Sequence, residues 1–136
     1  MSYIPDNLRQ LVINRADNRC EYCRLAQAGQ EATFHIDHII PVIAGGKTSS
    51  RNLALACVSC SLRKAARLVA IDPLTSLEVP LFHPRRAKWR AHFKWDELSL
   101  VGLTSIGRAT ISALEMNRAV MLAIRAEEKW LGRHLH

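Results

Sequence analysis

No apolar stretch in this chain approaches the length needed to span a bilayer, and the opening Met1-Ser2-Tyr3-Ile4-Pro5-Asp6-Asn7 lacks the charged start and apolar run of a signal peptide. The expected setting is therefore the cytoplasm, with no membrane partner. No cysteine lies outside two pairs, Cys20-Glu21-Tyr22-Cys23 and Cys57-Val58-Ser59-Cys60. In a reducing compartment this excludes a structural disulfide framework and leaves metal ligation or redox chemistry. No internal repeat or dividing linker is visible, so residues 1–136 read as one domain, large enough for a single core. Acidic residues are scarce, 12 Asp and Glu against 19 Lys and Arg, giving a formal net charge of +7 and a pI near 9.8. That balance favours a polyanionic partner, nucleic acid being the commonest, but it equally suits a basic protein whose charge serves solubility alone.

Along the chain, Asp6 or Asn7 can cap a helix with Leu8, Leu11, Val12 and Ala16 at helical spacing, ending near Asn18-Arg19 and delivering Cys20 and Cys23 on a turn. Residues 24–33 read as a loop broken by Gly29, and Phe34 to Ile40 as a strand stopped by Pro41. The run Gly45-Gly46-Lys47-Thr48-Ser49-Ser50 predicts a loop, Arg51 to Ala56 a second strand, and Ser61 to Val69 a helix. Further on, a turn at Asp72-Pro73, an edge strand over 77–82 and a strand over 98–103 are expected. A helix capped by Thr104 or Ser105 should follow, and Asn117 should cap a last one ending near Leu131. The fold class is α+β.

Two CxxC pairs supply two chelating hairpins whose sulfurs can close around one tetrahedral ion. Cys20, Cys23, Cys57 and Cys60 are accordingly expected to hold a structural Zn2+, closed to water and substrate. A redox CxxC usually occurs once and near a βαβ pattern, which does not account for two pairs. The Cys23–Cys57 separation is wider than that of a compact zinc ribbon and long enough to enclose a functional insert.

That insert carries His35-Ile36-Asp37-His38-Ile39-Ile40-Pro41, Gly45-Gly46 and Asn52-Leu53, followed by Arg63-Lys64 after the second cysteine pair. In order and spacing, these pieces resemble the HNH endonuclease family, over roughly residues 15–67. The resemblance implies a zinc-stabilised ββα-metal core with flanking helices and a short strand-and-helix extension over about 72–136, to which it assigns no task. It implies Asp37 as ligand of a catalytic Mg2+ or Mn2+, His38 as general base on a water, and Asn52 as brace of the loop carrying the base. That chemistry suits phosphodiester hydrolysis, which needs a nucleophile generated near neutral pH and a Lewis acid for the phosphate charge. Asn52 also reads as an ordinary turn asparagine.

The chain departs from the family at Ser61, where His or Asn commonly supplies another metal ligand. A serine hydroxyl can ligate Mg2+, and it can equally serve as a helix N-cap. His35 shares a strand face with Asp37 and reads either as a helper at the metal or phosphate or as an ordinary satisfied histidine. Strand alternation puts Asp37 and His38 on opposite faces unless the strand twists or ends there.

Arg63, Lys64 and Arg67 are expected on one helix as phosphate contacts, and Arg85, Arg86, Lys88 and Arg90 form a second cluster; either group can instead be a solvated face. Trp89, Phe93 and Trp95 read as core rather than base-stacking platforms, and His134 and His136 as frayed ends. The resulting expectation is a metal-dependent DNA endonuclease, with RNA not excluded and oligomeric state open. One site makes a nick, and a double-strand break needs two. The rival is a zinc-knot nucleic-acid-binding module that does not cut.

Overall fold

A computed structural model describes residues 3–134, so His136 lies outside the described residues. The chain divides into two compact units, one running to Ala66 and the other beginning at Arg67.

In the first unit, helix α1 (Asp6–Arg15) starts behind Pro5 and carries Asp6 in its first turn and Arg15 in its last, charges that complement the helix dipole. It ends three residues earlier than expected, because Asp17 and Asn18 both take left-handed backbone conformations, at φ 54°, which Asp and Asn tolerate. Arg15 then reaches back, donating to the carbonyl oxygens of Ser50 (2.9 Å) and Leu53 (2.8 Å). Arg19 and Ala26 pair in an antiparallel bridge that closes the loop holding the first cysteine pair.

Strand β1 (His35–His38) pairs antiparallel with β2 (Leu53–Ala56), His35 opposite Ala56 and His38 opposite Leu53. All four β2 residues are buried, with α1 and the next helix, α2 (Val58–Lys64), packing on the strand. The ββα order is as expected, but α2 is displaced toward the N-terminus. Cys57 caps it, its Sγ accepting from Cys60 N at 3.4 Å, so helix grows directly from the second cysteine pair and Ser61 is not its N-cap. Ala65, at φ 49°, ends it. The expected apolar face over 61–69 is consequently wrong: Leu62 is 65% exposed whereas Lys64 is 1% exposed.

The second unit holds two hairpins and two longer helices. Strand β3 (Val69–Ile71) begins at the residue where the expected helix ended and pairs with β4 (Glu78–Pro80). Their turn is organised by Asp72, which accepts from Leu74 N and Thr75 Oγ1 and takes a two-pronged contact from Arg108 at 3.0 and 2.9 Å. Short helix α3 (Trp89–His92) leads into β5 (Phe93–Asp96), which pairs with β6 (Ser99–Gly102). Trp89 and Phe93 are core, their rings 5.2 Å apart, as their spacing suggested.

Thr104 caps α4 (Ser105–Ala113) by accepting from Gly107 N at 3.0 Å. Asn117 does not cap α5 (Ala119–Trp130), which starts behind Arg118; its amide instead clamps both backbone groups of Leu100, at 2.8 and 2.7 Å. The buried face of α5 is Met121, Arg125 and Glu128, with Arg125 bonded to the carbonyls of Leu98 and Met116. Trp130 is 88% exposed. His134 is packed edge-on against Trp95 with ring centroids 4.5 Å apart, in place of a frayed end. Among the described residues, no helix is long and apolar enough to cross a membrane.

Candidate active site and metal centre

The four cysteines converge. Their sulfurs all lie within 4.8 Å of one another and every one is buried. Cys23 Sγ and Cys57 Sγ are 3.7 Å apart, close to the edge of about 3.8 Å for a tetrahedron with Zn–S bonds of about 2.3 Å. In each pair the second cysteine's N–H donates to the first one's sulfur, at 3.4 Å for Cys23 to Cys20 and 3.4 Å for Cys60 to Cys57. The thiols perturb one another: hydrogen bonds from Cys20, then Cys57 and Cys60, hold Cys23 well below the usual thiol range. Hydrogen bonds to Cys20 and Cys23 push Cys57 and Cys60 upward. Four converging sulfurs with no other donor type are the ligand set that suits Zn2+.

The two residues inside the first pair couple this knot to the hairpin. Glu21 is buried and locked to β2: its Oε2 accepts from Leu55 N (2.9 Å) and its N–H donates to Leu55 O (2.8 Å). Tyr22, fully buried, donates its hydroxyl to Asp37 Oδ2 at 2.7 Å. Burial first, and Asp37 second, push the Tyr22 phenol well above its usual range, so it is a permanent donor. Both residues look like spacers in the sequence.

Asp37 also takes Lys64 Nζ at 3.2 Å, and the same ammonium lies 3.2 Å from His38 O. Burial raises the Asp37 carboxyl, and Lys64 and Tyr22 draw it back only in part. The expected surface role of Lys64 is thereby corrected. It points inward because α2 begins at Cys57, which turns position 64 toward β1. Arg63 stays on the helix, its Nη1 donating to Ser59 Oγ at 3.3 Å. Arg67 falls outside α2 and donates to Ala113 O at 2.8 Å.

His38 is the last residue of β1, its Nε2 2.9 Å from Thr48 Oγ1. Thr48 sits in the loop between the strands, and Asn52 fixes that loop. Asn52 Oδ1 accepts from Ile40 N (2.8 Å) while its Nδ2 donates to the carbonyls of Ile40 (2.9 Å) and Lys47 (2.9 Å). Gly46 is required at this crossing, since a Cβ there would collide with Ile40 O and lie 2.8 Å from Asn52 Nδ2. On the α2 side of β1, His35 Nδ1 and Ser61 Oγ are 2.8 Å apart. Thr48, Tyr22 and the inward Lys64 carried no signal of these roles in the sequence.

Compared with known proteins, residues 20–67 match the family model for HNH endonuclease. No curated protein and no solved structure matches the chain. The matched segment spans the first cysteine pair, β1, the braced loop, β2 and α2, and it associates this part of the chain with nuclease chemistry on nucleic acid.

Proposed function

We propose that the protein is a metal-dependent DNA endonuclease whose zinc-stabilised HNH module nicks one strand. The observation that carries this reading is the pairing of a half-buried His38, held by Thr48 on an Asn52-braced loop, with a neighbouring Asp37 fixed by Tyr22 and Lys64, inside a segment matching the HNH endonuclease family. With Nε2–H donated to Thr48 Oγ1, His38 keeps a lone pair on Nδ1 that takes the proton from the attacking water. Asn52 holds the loop and thus the imidazole's orientation. The carboxylate of Asp37 and the hydroxyl of Ser61 are oxygen donors of the kind Mg2+ and Mn2+ accept. Such a cation supplies charge neutralisation at the phosphate and the leaving oxygen. Arg63 contacts a phosphate flanking the site, setting affinity rather than sequence preference.

A second reading, a zinc-knot module that binds nucleic acid without cutting it, is favoured by two observations: Lys64 is ion-paired with Asp37, and position 61 offers only a hydroxyl. Incubation of supercoiled plasmid with zinc-loaded protein, with and without Mg2+ or Mn2+, separates the two. Metal-dependent nicking that disappears in His38→Ala, with zinc and fold retained, establishes the nuclease. A gel shift without nicking under either metal establishes the binding module.

A further inference from the structure

We propose that His35 is a ligand of the module's divalent cation, supplying the strong donor that Ser61 does not, and that this protein therefore prefers Mn2+ and later transition metals to Mg2+. The inference rests on the nuclease reading for the cation's role, and on the following geometry for its ligands.

His35 and Asp37 lie two residues apart on β1 and share a face, while Ser61 and Lys64 lie three apart on α2 and share a face. The contacts His35–Ser61 and Asp37–Lys64 show that these two faces oppose each other in step. Asp37 is 9% exposed, and its oxygens already receive Tyr22 and Lys64. With its charge offset by an ammonium, it holds a cation less firmly than a free carboxylate would. Serine adds only a neutral hydroxyl. A carboxylate and a hydroxyl of this kind leave the site short of donors, and the exposed His35 on the same strand face carries an imidazole.

The separation of His35 Nδ1 from Ser61 Oγ is 2.8 Å. Adjacent ligands on an octahedral cation with bonds of about 2.1 Å stand about 3 Å apart. The two atoms are thus already spaced as neighbouring ligands, and the cation takes the place of the shared proton. Among the described residues no other hydrogen bond, ion pair or ring contact holds the His35 ring, so that exchange breaks nothing else of these kinds. An imidazole ligand strengthens binding in the order Mn2+ < Co2+ < Ni2+, whereas Mg2+ gains little from nitrogen.

The test is Mn2+ titration of the zinc-loaded protein without DNA, followed by electron paramagnetic resonance, with 14N couplings read from the bound ion. The expected result is an imidazole nitrogen coupling that survives in His38→Ala and vanishes in His35→Ala, with Mn2+ affinity reduced tenfold or more and zinc content and circular dichroism unchanged. Should His35→Ala fail to fold, His35→Gln carries the same readout. Wild-type Mn2+ affinity or coupling in the His35 variant overturns the proposal, as does a wild-type protein that binds no Mn2+. Plasmid nicking together with unaltered Mn2+ binding in the variant leaves the nuclease reading standing and removes this inference. A His35-dependent coupling in a protein that never nicks does the reverse.

Discussion

Asp37 is the most constrained residue of the candidate site, because a buried carboxylate is tolerated only with partners that offset its desolvation. Tyr22→Phe deletes one partner without changing shape. The expected loss is about 1.5–3 kcal/mol, the range for a hydrogen bond to a charged acceptor, measurable as a lower urea midpoint with unchanged m-value. Lys64→Met is expected to cost more, about 3–5 kcal/mol, since it strands a buried charge. The pH sense follows from the raised Asp37 carboxyl. Its contribution to stability is most favourable below the unfolded carboxyl range and declines as pH rises through the folded value, so Asp37→Asn flattens that decline. At this scale the sequence was half legible. His38, Asp37 and Asn52 stand out through their spacing, but Tyr22 gains its role only when the cysteine knot folds it against β1, and Lys64 only when the helix phase is known. A thiol cap at Cys57 fixes that phase, and nothing in the local pattern around Leu62 and Ala65 announces it.

Between β1 and β2, one loop carries the hydroxyl that holds His38, and Gly46 is the point where it crosses the strand. Gly46→Ala forces a new Cβ into Ile40 O and crowds the Asn52 amide. The expected outcome is displacement of Thr48 and loss of nicking by two orders of magnitude or more, a scale consistent with misplacing a catalytic group by about 1 Å. The four-cysteine knot lies elsewhere in the unit, so zinc content should be kept; plasmid assays beside metal analysis check both halves. The strands themselves were readable: β1, β2 and β6 fall inside the expected runs, β1 ahead of the stop at Pro41 and β2 directly behind the turn at Asn52. Strand β3 was not. Val69 was read as the end of the helix-forming run from Ser61, whereas the left-handed Ala65 ends α2 at Lys64 and frees the β-branched Val69 and Ile71 to pair. The last helix was found but its Asn117 cap was not, and its interior is held in part by Arg125 and Glu128, through hydrogen bonds that periodicity cannot see.

For the whole molecule, the two units rest on different physics, and that difference is testable. The first is built around four thiols, and metal binding in such sites contributes on the order of 10 kcal/mol to folding. Without Zn2+, Glu21 and Tyr22 lose the anchor that presents them to β2 and Asp37. The second unit has an apolar core of Phe82, Trp89, Phe93, Leu100, Leu114, Met116 and Met121, and no cysteine. Its acid-sensitive tie is Asp72, whose carboxyl is held below the usual range chiefly by Arg108. The stability it adds is complete above the unfolded carboxyl value and is lost as pH falls through the folded one. Acid titration should therefore loosen the β3–β4 turn before α5, and Asp72→Asn should remove that step. Chelation at neutral pH should act on the other unit. Hydrogen exchange followed by mass spectrometry after zinc removal is expected to show protection lost over β1, β2 and α2, and kept over β5, β6 and α4. Loss of protection in both units together would mean that the second depends on the metal, and that the division at Ala66–Arg67 is one of contacts and not of folding.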